Sequence, residues 1–338
     1  MGYLNCYKNG DGSNMNHNRK WFYMIESVLA ALIFVLGIQM FFEKNATDHP
    51  RISVIIPDSE NHQWSAFRYG LKMAAQDTGT ELLIISTGKD LTAEEELDLI
   101  SQEIEKETKA IILQPVPGAN IDQKLKQLAK KIPIMLVKNT ISKDPSSTSL
   151  PVVEPDHEAM GKALAEQLLQ DYNGNLAGKT IGILQNEAES QALASCKKGF
   201  EDTLKHTEAV ICWTASPSLP ETEKNSLKNQ KKTDLVIALD NTSLTTAAEY
   251  AAANNLHGAL VYGIGNSTEA IYFLDNSTIE CLVVPDEFSI GYQSLREAAQ
   301  NHGKRFRRMQ CSHVTYYVLR RETLFSEKNQ EILFTMSQ

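Results

Sequence analysis

From residue 51 onward, short β-branched runs alternate with amphipathic stretches. SVIIP, ELLIIS, AIILQP and IPIMLV are near-continuously apolar and bounded by polar turns, the pattern of strands buried on both faces of a parallel sheet. Between them, Trp64, Phe67, Leu71 and Ala74 recur at i, i+3, i+7 and i+10, which lays one apolar helical face on that sheet. A second series follows. TIGILQ, AVICW, DLVIALD, ALVYGIG and IECLVVP read as strands, and helices are expected around residues 156–171, 190–204, 242–255 and 286–301. The segment SKDPSSTSLP, residues 142–151, separates the series and reads as a crossing between lobes. Two consecutive βα series predict an α/β protein of two doubly wound parallel-sheet lobes.

The pattern before residue 51 is different. Trp21 to Phe42 forms an apolar run of 22 residues with one charge, Glu26. At ~1.5 Å per helical residue it spans the ~30 Å hydrocarbon core of a bilayer. Trp21, Tyr23, Phe41 and Phe42 put aromatic rings at both interfaces, and Glu26 lies near one end. A cleaved signal peptide competes with this reading, as does a buried helix. The run exceeds an ordinary signal core and continues into bulky MFFEKN, without a small-x-small cleavage pattern, which favours a retained transmembrane helix at 21–42. Lys8, Arg19 and Lys20 precede it, while Glu43, Lys44 and Asp48 follow. Residues 1–20 are therefore expected as a cytoplasmic tail, 43–50 as a linker, and the remainder outside a bacterial cell membrane.

Charge and motifs narrow the function. The 338 residues carry 33 Lys and Arg against 42 Asp and Glu, a net charge of -9 that disfavours nucleic acid as a partner. No G-x-S-x-G elbow or P-loop occurs, and GIGNST at 263–268 lacks the third glycine of a dinucleotide fingerprint. His157, His206, His257 and His313 are scattered without ligand spacing. Cys196, Cys212, Cys281 and Cys311 form no C-x-x-C, so buried thiols are expected. No cofactor, metal site or catalytic constellation is expected.

Ligands of doubly wound sheets bind beyond the carboxyl ends of the strands. The candidates are the residues that follow each strand: Asp58 to Asn61, Gln114, Lys138 with Asn139, Gln185 to Gln191 including Glu187, Asp240 with Asn241, Gly265 with Asn266, and Pro285 with Asp286. Each has a plainer role too. Asn61 and Asp240 are good helix caps, Trp64 fits between loop and helix, Lys138 is a solvated loop charge, and Gln114 precedes Pro115 in a turn.

SVIIPDSENHQWSAFRYGLKMAAQDTG with ELLIIS, AIILQPVPGANIDQKLKQLAKKIPIMLV, PDHEAMGKALAEQL, KKGFEDTL, DLVIALDNTSLTTAAEYA and VPDEFSIGYQSL, in that order, resemble the type 1 periplasmic sugar-binding proteins over roughly residues 51–320. Their core is shared with sugar-responsive repressors. The resemblance implies two lobes joined by a multi-strand hinge, preceded here by one transmembrane helix. It places a membrane-proximal N-lobe at 51–152 plus about 286–313 and a C-lobe at 153–285 plus about 314–338. Asn61 and Trp64 match the ligand-loop Asn and an aromatic that stacks on the sugar, Gln114 the amide after the third strand, and Asp240 a ligand-binding Asn or Asp. The charged anchors differ: Lys138-Asn139 replaces an Asp-Arg or Asp-Asn pair, Cys196 an Arg, Gly265 an Asp and Pro285 a Gln, leaving Lys138 and Glu187 to compensate. The implied function is a membrane-anchored solute-binding protein for a carbohydrate-like small molecule, partnered by an ABC permease. The alternative is a sensory subunit of a membrane kinase, and the remote one an extracytoplasmic enzyme.

Overall fold

The structure is a computed structural model that describes residues 21–36, 49–59, 61–88, 91–118, 120–139, 150–186, 190–220, 222–301 and 308–338. Residues up to His49 and residues Pro50–Gln338 form separate compact units. In the first unit, residues 21–36 form a helix, α1, on which Trp21, Phe22, Leu29, Ile33 and Phe34 are exposed. No helix among the described residues is long and apolar enough to cross a membrane. The expected span of 21–42 is thus helical over 21–36, and its last residues, the 1–20 tail and most of the 43–50 linker lie outside the described residues.

The second unit holds two α/β lobes. In chain order its elements are β1 (Arg51–Pro57), α2 (Ser65–Thr78), β2 (Glu81–Thr87), α3 (Ala93–Glu105), β3 (Ala110–Leu113), α4 (Ile121–Leu128), β4 (Ile134–Val137), β5 (Val152–Pro155), α5 (His157–Asp171), β6 (Thr180–Leu184), α6 (Gln191–Leu204) and β7 (Val210–Ala215). There follow β8 (Leu235–Ala238), α7 (Asn241–Ala252), β9 (Leu260–Ile264), α8 (Thr268–Asp275), β10 (Ile279–Pro285), α9 (Glu287–Asn301), β11 (Ser312–Val314), β12 (Tyr316–Leu319) and α10 (Glu327–Met336). The first sheet runs β11-β5-β4-β3-β1-β2 and is parallel throughout; the second runs β12-β10-β9-β8-β6-β7, with only β12 antiparallel to its neighbour.

Period-two alternation explains why these strands are apolar without a break. Ile52, Val54 and Ile56 pack with Phe67 and Leu71 of α2 and Ile290 of α9, whereas Ile55 faces Ile100 of α3 and Leu125 of α4. Each sheet is therefore covered on both faces, as parallel sheets are. The second lobe repeats the plan: Ile181 and Ile183 meet α5 and α6, while Val236 and Ala238 meet α7. Helices α2 and α9 touch backbone to backbone, because a Cβ on Gly70 would strike the Phe288 carbonyl and one on Gly291 the Phe67 carbonyl. Of the four cysteines in this unit, Cys196 and Cys281 are buried, but Cys212 and Cys311 are exposed: Cys212 sits on the edge strand β7, whose first residues have no neighbour covering them.

Of the expected crossing at 142–151, residues 142–149 lie outside the described residues, but Val152 and Val153 pair with Leu136 and Val137, so β4 and β5 on either side of it are neighbours in one sheet and belong to one lobe. The crossings lie at Asp156, Asp286 and Thr315, which places the first after Pro155 rather than at 152/153 and the last after Val314. Two of these are strand–Asp–helix junctions with a physical signature. Asp156 accepts from Ala159 N (2.9 Å) and Asp286 from Ser289 N (2.9 Å), each capping the helix that enters the other lobe. Asp286 N also donates to Thr315 O (3.1 Å), tying two crossings together.

Candidate functional site

The carboxyl ends of both sheets open on one cavity of ≈ 450 Å³, bounded by Pro57, Gln114 and Lys138 from the first lobe and by Asn186, Asp240 and Ile264 from the second. Its size and mixed lining are those of a small-molecule site. Direct bonds close it. Asn266 Nδ2 donates to Gln63 O (2.9 Å), and Asn241 Nδ2 lies within bonding distance of Gln63 Oε1 (3.3 Å) and Asn266 Oδ1 (2.5 Å). Asn266 N donates to Asn241 Oδ1 (2.7 Å). Gly265 makes this latch possible, since a Cβ there would lie 2.7 Å from Asn241 Oδ1. The glycine that interrupts the family pattern thus admits an amide.

Of the residues singled out as ligand contacts, Asn61, Trp64, Gln114, Lys138, Asn139, Glu187 and Asp240, four line the cavity: Gln114, Lys138, Asn139 and Asp240. Asn61 and Trp64 do not, and Glu187 lies outside the described residues. Asn61 is exposed and caps the short turn His62–Trp64, accepting from Gln63 N at 3.1 Å. Trp64 is 1% exposed and packs edge-on against Phe67. Gln114 is half-buried, and its Oε1 has no hydrogen-bond partner among the described residues.

Lys138 is no solvated charge. Its backbone turns left-handed (φ 66°) directly after β4, held by Lys138 N to Val153 O (3.0 Å) and by His157 Nε2 against Lys138 O (2.9 Å). Its Nζ lies 3.8 Å from the centre of the Trp64 ring and 2.9 Å from Glu287 Oε1. Glu287 opens α9 just past the second crossing and is 5% exposed. Burial pushes its carboxyl up, and Lys138 opposes that shift. Glu287 Oε2 and Trp64 Nε1 are buried without hydrogen-bond partners among the described residues. Nothing in the sequence adjacent to Lys138 points to Glu287, which chain order separates from it by a whole lobe.

Asp240 has a structural task. Its carboxylate accepts from Ser243 N (2.9 Å) and Ser243 Oγ (2.8 Å) at the start of α7, and from Asn186 N (2.7 Å) in the loop after β6.

Cys196 and His157 also line the cavity, with Sγ 3.9 Å from Nδ1. Burial pushes the Cys196 thiol up to about 12 and the His157 imidazole down, which disfavours a thiolate–imidazolium pair. Among the described residues no group of three or more His, Cys, Asp or Glu side chains is placed to hold a metal ion. Behind the cavity, Glu96 of α3 is 1% exposed and accepts from Val116 N (3.2 Å), supporting the loop that carries Gln114; burial pushes its carboxyl up to about 8.

A family model described as a periplasmic binding protein domain matches residues 52–304. No curated protein matches the sequence significantly. Solved structures with a similar fold include a carbohydrate transporter solute-binding protein from Agrobacterium radiobacter in complex with D-arabinose, at TM-score 0.68 and 15% identity over 84% of this chain and 99% of that one. The Caulobacter myo-inositol binding protein bound to myo-inositol gives TM-score 0.68 and 18% identity, covering 84% of this chain and 98% of that one. A chain of the XylFII-LytSN complex gives TM-score 0.66 and 15% identity, covering 81% of this chain and 98% of that one.

Proposed function

The chain belongs to the periplasmic binding protein domain family, and from that premise we propose that it is a membrane-anchored, extracytoplasmic binding protein for a sugar-like small molecule, which it presents to an ABC importer. The observation that carries this reading is the cavity between the strand ends of both lobes, closed by Gln63, Asn241 and Asn266. A ligand that touches both walls binds the closed form better than the open one, and that differential affinity is what a partner reads. Gln114, Lys138 and Asn139 would contact it, with Asp240 keeping the second wall in shape. The capacity of Asp156, Asp286 and Thr315 to act as hinges follows from their place at the crossings.

Anchoring rests on the apolar run 21–42 and on the exposed rings and aliphatic side chains of α1. A second reading, a ligand-reporting subunit of a membrane sensor kinase, draws on that anchor and on the fold likeness to XylFII, which is found in complex with LytSN. Cross-linking the full chain in its native membrane separates the two by the partner recovered, a permease or a kinase.

The binding function itself is tested by a thermal-unfolding screen of the full-length chain in detergent against sugars, polyols and nucleosides. Ligand at 100 times its dissociation constant stabilises by ~2.7 kcal/mol. At least one polyhydroxylated compound is expected to do so, and a flat response across the library would overturn the reading.

A further inference from the structure

We infer that Lys138 is the specificity-determining residue of the cleft: lying over Trp64 and paired with Glu287, it fills the aromatic face on which a ring would stack, so the cleft selects flexible polyhydroxylated ligands held by hydrogen bonds over rigid rings held by stacking. This rests on the proposed reading of the cavity as a solute site.

Three observations combine. Trp64 lies one layer behind the cavity: it is 1% exposed and contributes nothing to the lining, whereas both Lys138 and Glu287 do. The Lys138 ammonium stands 3.8 Å from the ring centre, the distance at which another group cannot insert between them. Lys138 is also held at both ends, its backbone by Val153 O and His157 and its ammonium by Glu287 Oε1 at 2.9 Å. Exposing the ring to a ligand means withdrawing the cation from a desolvated face and leaving Glu287, 5% exposed, as an uncompensated buried carboxylate. A stacking ligand bears both costs, and a hydrogen-bonding one bears neither.

The remaining chemistry fits such a ligand. Gln114 Oε1 and Glu287 Oε2 are acceptors without partners, and a hydroxyl-rich molecule supplies donors. Lys138, Glu287 and Asp240 together leave the wall with an excess of one negative charge, which disfavours an anion.

The test uses the full-length chain in detergent and compares the parent with Lys138→Ala, Lys138→Ala/Glu287→Gln and Lys138→Met. The double variant removes the orphaned carboxylate in case the single one fails to fold. Methionine keeps a long side chain over the ring without the charge. With Trp21 and Trp213 changed to Phe, Trp64 is the remaining one of the chain's 3 tryptophans, and its quenching by acrylamide reports whether the ring is covered. Calorimetry with D-arabinose and myo-inositol as rings and ribitol as the open chain reports selectivity. Both alanine-bearing chains should show several-fold stronger quenching than the parent and at least tenfold tighter ring binding, with ribitol affinity unchanged or lowered. The methionine chain should quench like the parent. Unchanged quenching in the double variant, or unchanged ring-to-ribitol selectivity, would overturn the assignment. The broader library screen on the parent judges the solute-binding reading separately, so the two can fail independently.

Discussion

The two lobes repeat one topology and finish their cleft-facing strand ends in opposite ways. After β8, Asp240 directs its carboxylate back into its own lobe, where Asn186 N, Ser243 N and Ser243 Oγ consume it. After β4, Lys138 also stays within its own lobe but is held by side chains, the Trp64 ring and Glu287 of α9, and buried atoms of the same wall, Gln114 Oε1, Glu287 Oε2 and Trp64 Nε1, have no partner among the described residues. Among the described residues the second lobe shows one comparable orphan, Gln185 Oε1. A charged residue at a strand end is thus poor evidence for a ligand contact by itself. What separates the two cases is whether orphan backbone donors nearby already claim it.

That contrast breaks most sharply at the ion pair. Replacing Lys138 by Ala should cost ~3 to 5 kcal/mol in urea unfolding, because Glu287 is left buried and unpaired, and adding Glu287→Gln should restore most of the loss. Equal stability of the single and double variants would mean that Glu287 finds solvent.

The first wall is also the one expected to respond to pH. Glu96, which supports the Val116 loop, has a carboxyl raised from 4.5 to about 8 in the folded chain. A raised acid binds its proton more tightly when folded, so its contribution is fully present below about 4.5 and is lost as pH rises through about 8. The loss should be on the order of 3 kcal/mol between pH 5 and 8.5, measured as the difference between the parent and Glu96→Gln, which lacks the titrating group. Parallel stability profiles for the two chains would contradict the assignment.

At the second wall the expected change is smaller. Asp240→Ala should cost ~2 kcal/mol, since it strands a cap donor and the Asn186 amide together. Unfolding curves that coincide with the parent would show that water replaces it. Smallest of all, Asn61→Ala should lose ~0.5 kcal/mol and leave ligand affinity unchanged, because Asn61 is an exposed cap outside the cavity lining.

The same contrast explains what the sequence could be read for. Most of the strands were legible because they are buried on both faces, and the helices expected at 156–171, 190–204 and 286–301 occur as α5, α6 and α9. The elements that escaped were short or weakly patterned: four-residue β5, three-residue β11, half-exposed β12, eight-residue α8, and α10. Ser and Pro mark a loop wherever it goes, so residues 142–151 looked like a crossing although β5 returns to β4. At the site, the strand-end rule found Gln114, Lys138, Asn139 and Asp240, and it included Asn241 and Asn266 of the latch. It had no means of showing that Lys138 covers Trp64, because the partner that holds it there arrives 149 residues later, on the far side of the second crossing. Gln63 gave no local signal either; its partners lie in the other lobe.

The account turns on one motion, closure of two lobes around a shared cavity, and the chain supplies its own reporters. Cys311 and Cys212 are exposed, the first beside β11 in the first lobe and the second on β7 in the other, while Cys196 and Cys281 are buried. With Cys6 changed to Ser, spin labels on these two thiols of the full-length chain give the inter-lobe distance by pulsed electron resonance. Gln63→Ala, which removes the acceptor of Asn241, should broaden the distribution toward longer distances, and a compound that stabilises the chain in the thermal screen should narrow it to the closed value. One unchanged distribution in the parent, the Gln63 variant and the liganded chain would contradict closure.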